Sequence, residues 1–204
     1  MARPREFDEK KVLEAAGEAF WARGYEATST RDLVKATGLS QPSLYNAFGD
    51  KRGLFRAALA HYLDETLNER MARLEASLPP ALAVTMFLHE IVERSVSDPQ
   101  KRGCMLVNSA LEVTPEDDEF RMAIANELET IRTFFQRCVA AAQARGDAPP
   151  VLPAQDASRY LLAILLGVRV LARVAPVRVQ LVGTVAPALT LLGLPPLPDS
   201  GSSG

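Results

Sequence analysis

Little in this chain could build a metal centre or a disulfide frame. Among 204 residues there are two cysteines, Cys104 and Cys138, and two histidines, His61 and His89. All four lie far from the close pairings that zinc sites use, so no metal and no cofactor is expected. Also missing are a Ser/His/Asp arrangement, a glycine-rich phosphate loop and a carboxylate pair set for acid–base work. The one acidic cluster, Glu116 to Glu119, reads as a helix start. No catalytic residue is nominated and an enzyme is not expected. Long apolar runs are absent too. YLLAILLGV, Tyr160 to Val168, is interrupted by Arg169, whereas a membrane span needs about 20 residues, so no membrane partner is expected. MARPREFDEKK has no apolar leader, and the expected location is the cytoplasm.

What is present is an ordinary globular composition, 48% apolar and 24% charged, in a length that suits one large domain or two small ones. Net charge is −2, unevenly spread. Residues 1–60 hold ten Lys/Arg against eight Asp/Glu, which makes them +2 and the remainder −4. A basic head on an acidic body is compatible with DNA binding, and a solvated helical surface would look the same.

Helical signals run nearly end to end. Val12, Ala16, Ala19 and Phe20 share one face of a helix from Asp8 to Arg23, which Gly24 stops as a left-handed cap, with Tyr25 as an anchor. Ser29-Thr30-Arg31-Asp32 is a capping box opening a short helix with Leu33 and Ala36 inward and Thr37-Gly38 at its end. Leu39 turns inward, Ser40 is an N-cap, and Gln41-Pro42 suits a first helical turn. Helix, glycine turn and second helix form a helix-turn-helix with a supporting helix in front. In Gln41 to Phe48, Leu44 and Phe48 face the core. Gln41, Pro42, Ser43, Tyr45 and Asn46 are left on the outer face, a poor choice for a solvated helix and a good one for the major groove. There Gln and Asn match adenine, Ser serves several bases, and Pro and Tyr offer apolar contact. The plain alternative is a half-buried Tyr45 beside filler.

STRDLVKATGLSQPSLYNAFGDKRGL, Ser29 to Leu54, resembles the DNA-binding region of the TetR family of bacterial transcriptional repressors. The shared features are the Thr opening the second helix, the turn Gly, Leu-Tyr-x-x-Phe, and Lys-x-x-Leu at the fourth helix. Ala15 to Ser29 resembles that family's first helix and its Phe-x-x-x-Gly-Tyr ending. The resemblance implies an all-α fold of about nine helices. A three-helix DNA-binding head would span residues 1–50, and a larger ligand-binding and dimerisation body residues 51–198. It further implies phosphate contacts from Thr30 and Lys51, and base and backbone contacts from Gln41, Pro42, Ser43 and Tyr45. Asn46 stands where an aromatic or His is common. Arg31 either reaches the groove or is simply solvated, and Arg3 and Arg5 could form an arm along the phosphates. The location implied is bacterial cytoplasm, in association with the nucleoid.

The rest reads as the body. A long helix from Lys51 to Leu78 ends at Pro79-Pro80. Leu82 to Val96 and Asp117 to Arg145 are helices, with Gly103 to Val113 apolar between them. The last two, Asp156 to Ala175 and Val177 to Gly193, are split by Pro176 and more apolar than one buried face needs. Interleaved with Arg169, Arg173 and Arg178, they fit the homodimer that the resemblance implies, in which two heads bind a double-stranded palindromic operator. A small-molecule inducer of unknown identity would bind among His89, Cys104, Asn108, Glu112 and Arg132, walled by Met86, Phe87, Met105, Phe134 and Phe135; for each, core or surface packing is the plain alternative. RGCMLVNSALE, Arg102 to Glu112, resembles one branch of the family. Its Cys104 is either a thiol sensor of oxidants and electrophiles or a small core residue. Action through a protein partner is a further alternative. Residues 199–204, ending SGSSG, read as a flexible tail and a cloning remnant.

Overall fold

The computed structural model describes residues 7–112, 114 and 117–198. The expected Arg3/Arg5 arm, Glu116 and the SGSSG tail lie outside them. Among the described residues there are nine helices and no strand, so the fold is all-α. The helices are α1 (Glu9–Arg23), α2 (Thr30–Thr37), α3 (Gln41–Phe48) and a long α4 over residues 51–77. They continue with α5 (Pro80–Ser97), α6 (Met105–Glu112), α7 (Asp118–Arg145), α8 (Ala154–Val174) and α9 (Arg178–Leu191). Within α4 the α-helical Lys51–Leu63 passes through a π-helical turn, Asp64–Asn68, into Glu69–Ser77.

Two compact units result. One comprises the chain up to Glu69 together with Cys104–Thr114, the other Arg70–Gly103 and the chain from Pro115 on. In the first unit the apolar faces of α1, α2, α3 and α4 meet around Val12, Ala16, Phe20, Leu33, Leu44, Leu54, Phe55 and Ala58, all buried. Phe20 stands edge-on to Phe55 with ring centroids 4.9 Å apart, and Tyr25 lies against both rings. Such ring pairs add to the area each aromatic removes from water. The second unit is organised around three fully buried rings. Phe87 of α5 meets Phe134 and Phe135 of α7 at centroid separations of 5.2 and 5.4 Å. Leu161 and Leu165 of α8 and Leu181 and Val185 of α9 complete that core.

Some local expectations fail for physical reasons. Ala36 is exposed, because α2 is only eight residues long and Leu33 alone fills its inward face. Phe48 is half-buried beside Phe7. Gly24 has φ 86° and ψ 167°, outside the left-handed helical well, whereas Gly38 does adopt it at φ 71°, ψ 4°. Arg169, expected on a dimerising face, points inward and is buried.

Candidate nucleic-acid interface

The short helices α2 and α3 are each fixed at the N-terminus by a side chain. The capping box forms as expected: Ser29 Oγ accepts from the Asp32 amide, and the Asp32 carboxylate accepts from the Ser29 amide at 3.0 Å. Hydrogen bonds from Ser29, aided by the charge of Arg23, hold the Asp32 carboxyl below the usual carboxylate range. Ser40 Oγ accepts from the Ser43 amide, and the two hydroxyls share a 2.9 Å hydrogen bond. With α3 thus started, Pro42 costs no helical hydrogen bond. Gly38, in its left-handed conformation, sets the sharp turn between α2 and α3.

This turn leaves Gln41, Pro42, Ser43 and Asn46 exposed on α3, with Leu44 buried beneath. Tyr45 is half-buried, and its hydroxyl shares a 2.7 Å hydrogen bond with Thr30 Oγ1 at the start of α2. Two side chains expected at DNA are therefore joined to each other. Arg31 is exposed. Lys51 opens α4, where Asp50 caps the Gly53 amide at 2.7 Å. Its ammonium donates to the Glu26 carbonyl at 3.3 Å and sits 4.5 Å over the Tyr25 ring.

One connection has no local signal in the sequence. The Tyr25 amide donates to the Glu112 carboxylate at 2.7 Å, so the last residue of α6 closes the turn after α1. Gly24 has φ 86°, which side-chain-bearing residues rarely adopt, and a Cβ there would also press on the movable end of Glu112. Glu112, a pocket candidate from the sequence, lies 87 residues from its partner, beyond any pattern a helical period can reveal.

The pocket candidates fall into two groups. Cys104 and Met105 are buried and Asn108 and Glu112 half-buried, all in the first unit. Met86 and His89, half-buried on α5, belong to the second unit with the packed rings of Phe87, Phe134 and Phe135. Arg132 is taken up by Glu129, Gln136 and Ser158. A cleft of ≈170 Å³ in the second unit is lined by other residues: Glu75, Leu78, Pro80, Ala83, Arg137, Cys138 and Ala141. Arg137 pairs there with Glu75 at 2.8 Å. Burial, reinforced by Glu75, pushes the Cys138 thiol up to about 12. Among the described residues no cluster of three or more His, Cys, Asp or Glu could hold a metal, and no helix is long and apolar enough to cross a membrane.

Comparison with known proteins places the chain in a family. Residues 12–58 match the family model of bacterial regulatory proteins of the tetR family, and residues 82–179 match the tetracyclin repressor-like C-terminal domain. The chain is 33% identical to the HTH-type transcriptional repressor ComR of Escherichia coli K12, over 84% of this chain and 82% of that one. It is 34% identical to YezE, an HTH-type transcriptional regulator of Bacillus subtilis 168, over 72% and 76% of the two chains. Among solved structures, a cysteine-substituted TetR family transcriptional regulator CifR, complexed with 26-base-pair double-strand operator DNA, superposes with a TM-score of 0.83. It is 35% identical, over 94% of this chain and all of the other. The chain belongs to the tetR family of bacterial transcriptional regulators.

Proposed function

We propose that this protein is a homodimeric repressor that binds a palindromic double-stranded operator through α3 and leaves it when a small molecule occupies the body. The observation that carries the reading is the outer face of α3. Gln41, Pro42, Ser43 and Asn46 project from a helix already fixed by its own cap and by buried Leu44, so they are not needed to hold the fold. Gln41 and Asn46 read base edges, and Pro42 and Ser43 line the groove. Tyr45 and Thr30, hydrogen-bonded to each other, address backbone together with Lys51, and Arg31 enters the groove from α2. In this reading residues 1–50 are the DNA-binding head and 51–198 the regulatory body. The operator complex of CifR supports the partner, and the name of ComR supports repression.

Dimerisation is supported by an apolar surface that a lone subunit has no use for. Val170, Leu171 and Val174 at the end of α8, with Val177 and Val179 at the start of α9, are all exposed. Contiguous apolar exposure of this kind marks a protein interface, here between the two helices expected over Asp156 to Ala175 and Val177 to Gly193. Two coupled heads on one palindrome then bind far more tightly than one. For release, the hydrogen bond from Tyr25 to Glu112 supplies a route. A ligand that moves α6 withdraws the carboxylate that closes the α1 turn, and Tyr25 is the ring over which Lys51 sits.

Selection of random duplex DNA on the purified protein tests the reading. Enrichment of an inverted repeat with half-sites about one helical turn apart is the expected result. Enrichment of a single unrepeated half-site would contradict the dimer, and no enrichment would contradict operator recognition itself.

A further inference from the structure

The second unit buries more positive charge than it neutralises. Arg169 of α8 is 4% exposed, and among the described residues it makes one polar contact, donating to Ser95 Oγ on α5 at 3.2 Å. Ser95 in turn donates to the Ile91 carbonyl at 2.7 Å, so its lone pair is aimed at the guanidinium. Arg70 is also largely buried. Its Nε donates to Glu90 at 2.9 Å, while one terminal nitrogen, Nη1, is sealed from solvent with no acceptor among the described residues. Glu90 is already shared with Arg73, at 2.7 Å. Arg94, half-buried one turn from Glu90, makes no ion pair among the described residues, and neighbouring Glu93 is held by Arg178. Arg70 and Arg73 thus share one carboxylate, and among the described residues Arg169 and Arg94 have none. Burial lowers the pKa of Arg70, Glu90 opposes the shift, and the charges of Arg169 and Arg94 add to it, so these groups feel one another.

A guanidinium cannot shed its charge within the range a protein survives, and it carries five donors. Leaving such a group buried without a counter-charge is strongly unfavourable. We infer that Arg169 and Arg70 form a binding site for an oxyanion, the carboxylate or phosphate group of a small molecule held within the body. A second copy of the chain is a poor source of that anion, because Arg169 turns toward Ser95 inside its own subunit. The helix-spanning placement, with Arg70 on α4, Ser95 on α5 and Arg169 on α8, lets one anion tie three helices together. That such an anion belongs to the effector rests on the proposed function; the anion site itself does not.

Thermal unfolding of the DNA-free protein tests it, with sulfate, phosphate and butyrate each titrated against chloride at constant ionic strength. Wild type should gain a saturable rise in Tm of about 3–8 °C with at least one of them. The anion that saturates first separates a phosphate-type from a carboxylate-type group. Arg169→Met should abolish the rise while unfolding in chloride no lower than wild type, since it removes an unneutralised buried charge. Should that variant fail to fold, Ser95→Ala keeps the charge and only frees the guanidinium. It should raise the half-saturating concentration about 3–10-fold. Flat titrations, an unsaturable rise, or a rise that both variants retain would overturn the site. Operator binding, measured separately, tells the failures apart. Its loss with the anion response intact sinks the regulatory reading alone, and the converse sinks the anion site alone.

Discussion

The two units hold their helices by different means. In the first, α1, α2, α3 and α4 begin at Asp8, Ser29, Ser40 and Asp50, and every one of these side chains accepts a backbone hydrogen bond. In the second, α5, α8 and α9 begin after Pro79, Pro153 and Val177 with no side-chain cap; only α7, at Asp117, has one. Length bears on the contrast at α2 and α3. Helices α2 and α3 have eight residues each, too few to persist alone, while α7 and α8 have 28 and 21. These two short helices are placed by hydrogen bonds at their ends, which leaves outward side chains free for a partner. Helices α5, α8 and α9 are placed by burial, without a side chain fixing their starts.

That contrast predicts where each unit breaks. Phe134→Ala, in the ring cluster with Phe87 and Phe135, should destabilise the protein by about 3–5 kcal/mol in chemical denaturation. A loss under about 1 kcal/mol would mean that the body is not organised around these rings. Ser40→Ala removes a cap and should cost about 0.5–2 kcal/mol, with little effect on body packing. Near-ultraviolet circular dichroism should report the first change strongly and the second weakly.

Acid should act on both units through depressed carboxylates. For Glu90, burial raises the pKa, but hydrogen bonds from Arg73 and Arg70 outweigh it and hold the group below its ordinary 4.5. A depressed folded pKa stabilises above the unfolded value and is lost as pH falls through the folded one, so stability should decline below about pH 4.5. Glu90→Gln should flatten that acid limb, and unchanged pH dependence would remove the pair from the account. The smallest expected effect is at Cys138. With its thiol at about 12, it should resist alkylation of the native protein at mildly alkaline pH, as peptide mass analysis would register.

Much of the fold was legible because its signals are local. The capping box at Ser29 and Asp32, Ser40 before Pro42, and the breaks at Pro79-Pro80 and Pro176 each act within a turn of chain, and the helices start and stop beside them. The outward face of α3 could be read the same way, from residues one helical turn apart. What escaped depends on distant partners. Neither the Glu112 contact to Tyr25 nor the inward turn of Arg169 to Ser95 follows from any spacing along the chain. The π-helical turn at Asp64–Asn68 likewise has no residue that announces it. Arg169 looked like an interface residue because it punctuates an apolar run. In fact an arginine on such a helix can equally face inward when a hydroxyl receives it.

The most direct test of operator reading by α3 is binding to the selected duplex and to a scrambled one, across a range of salt, for wild type, Gln41→Ala and Lys51→Ala. The account predicts that Gln41→Ala loses about 1–3 kcal/mol of discrimination with its salt slope unchanged. Lys51→Ala should weaken binding to both duplexes and lower the salt slope by about one. Discrimination and salt slope both at wild-type values in the two variants would contradict the placement of α3 and of the α4 start at DNA.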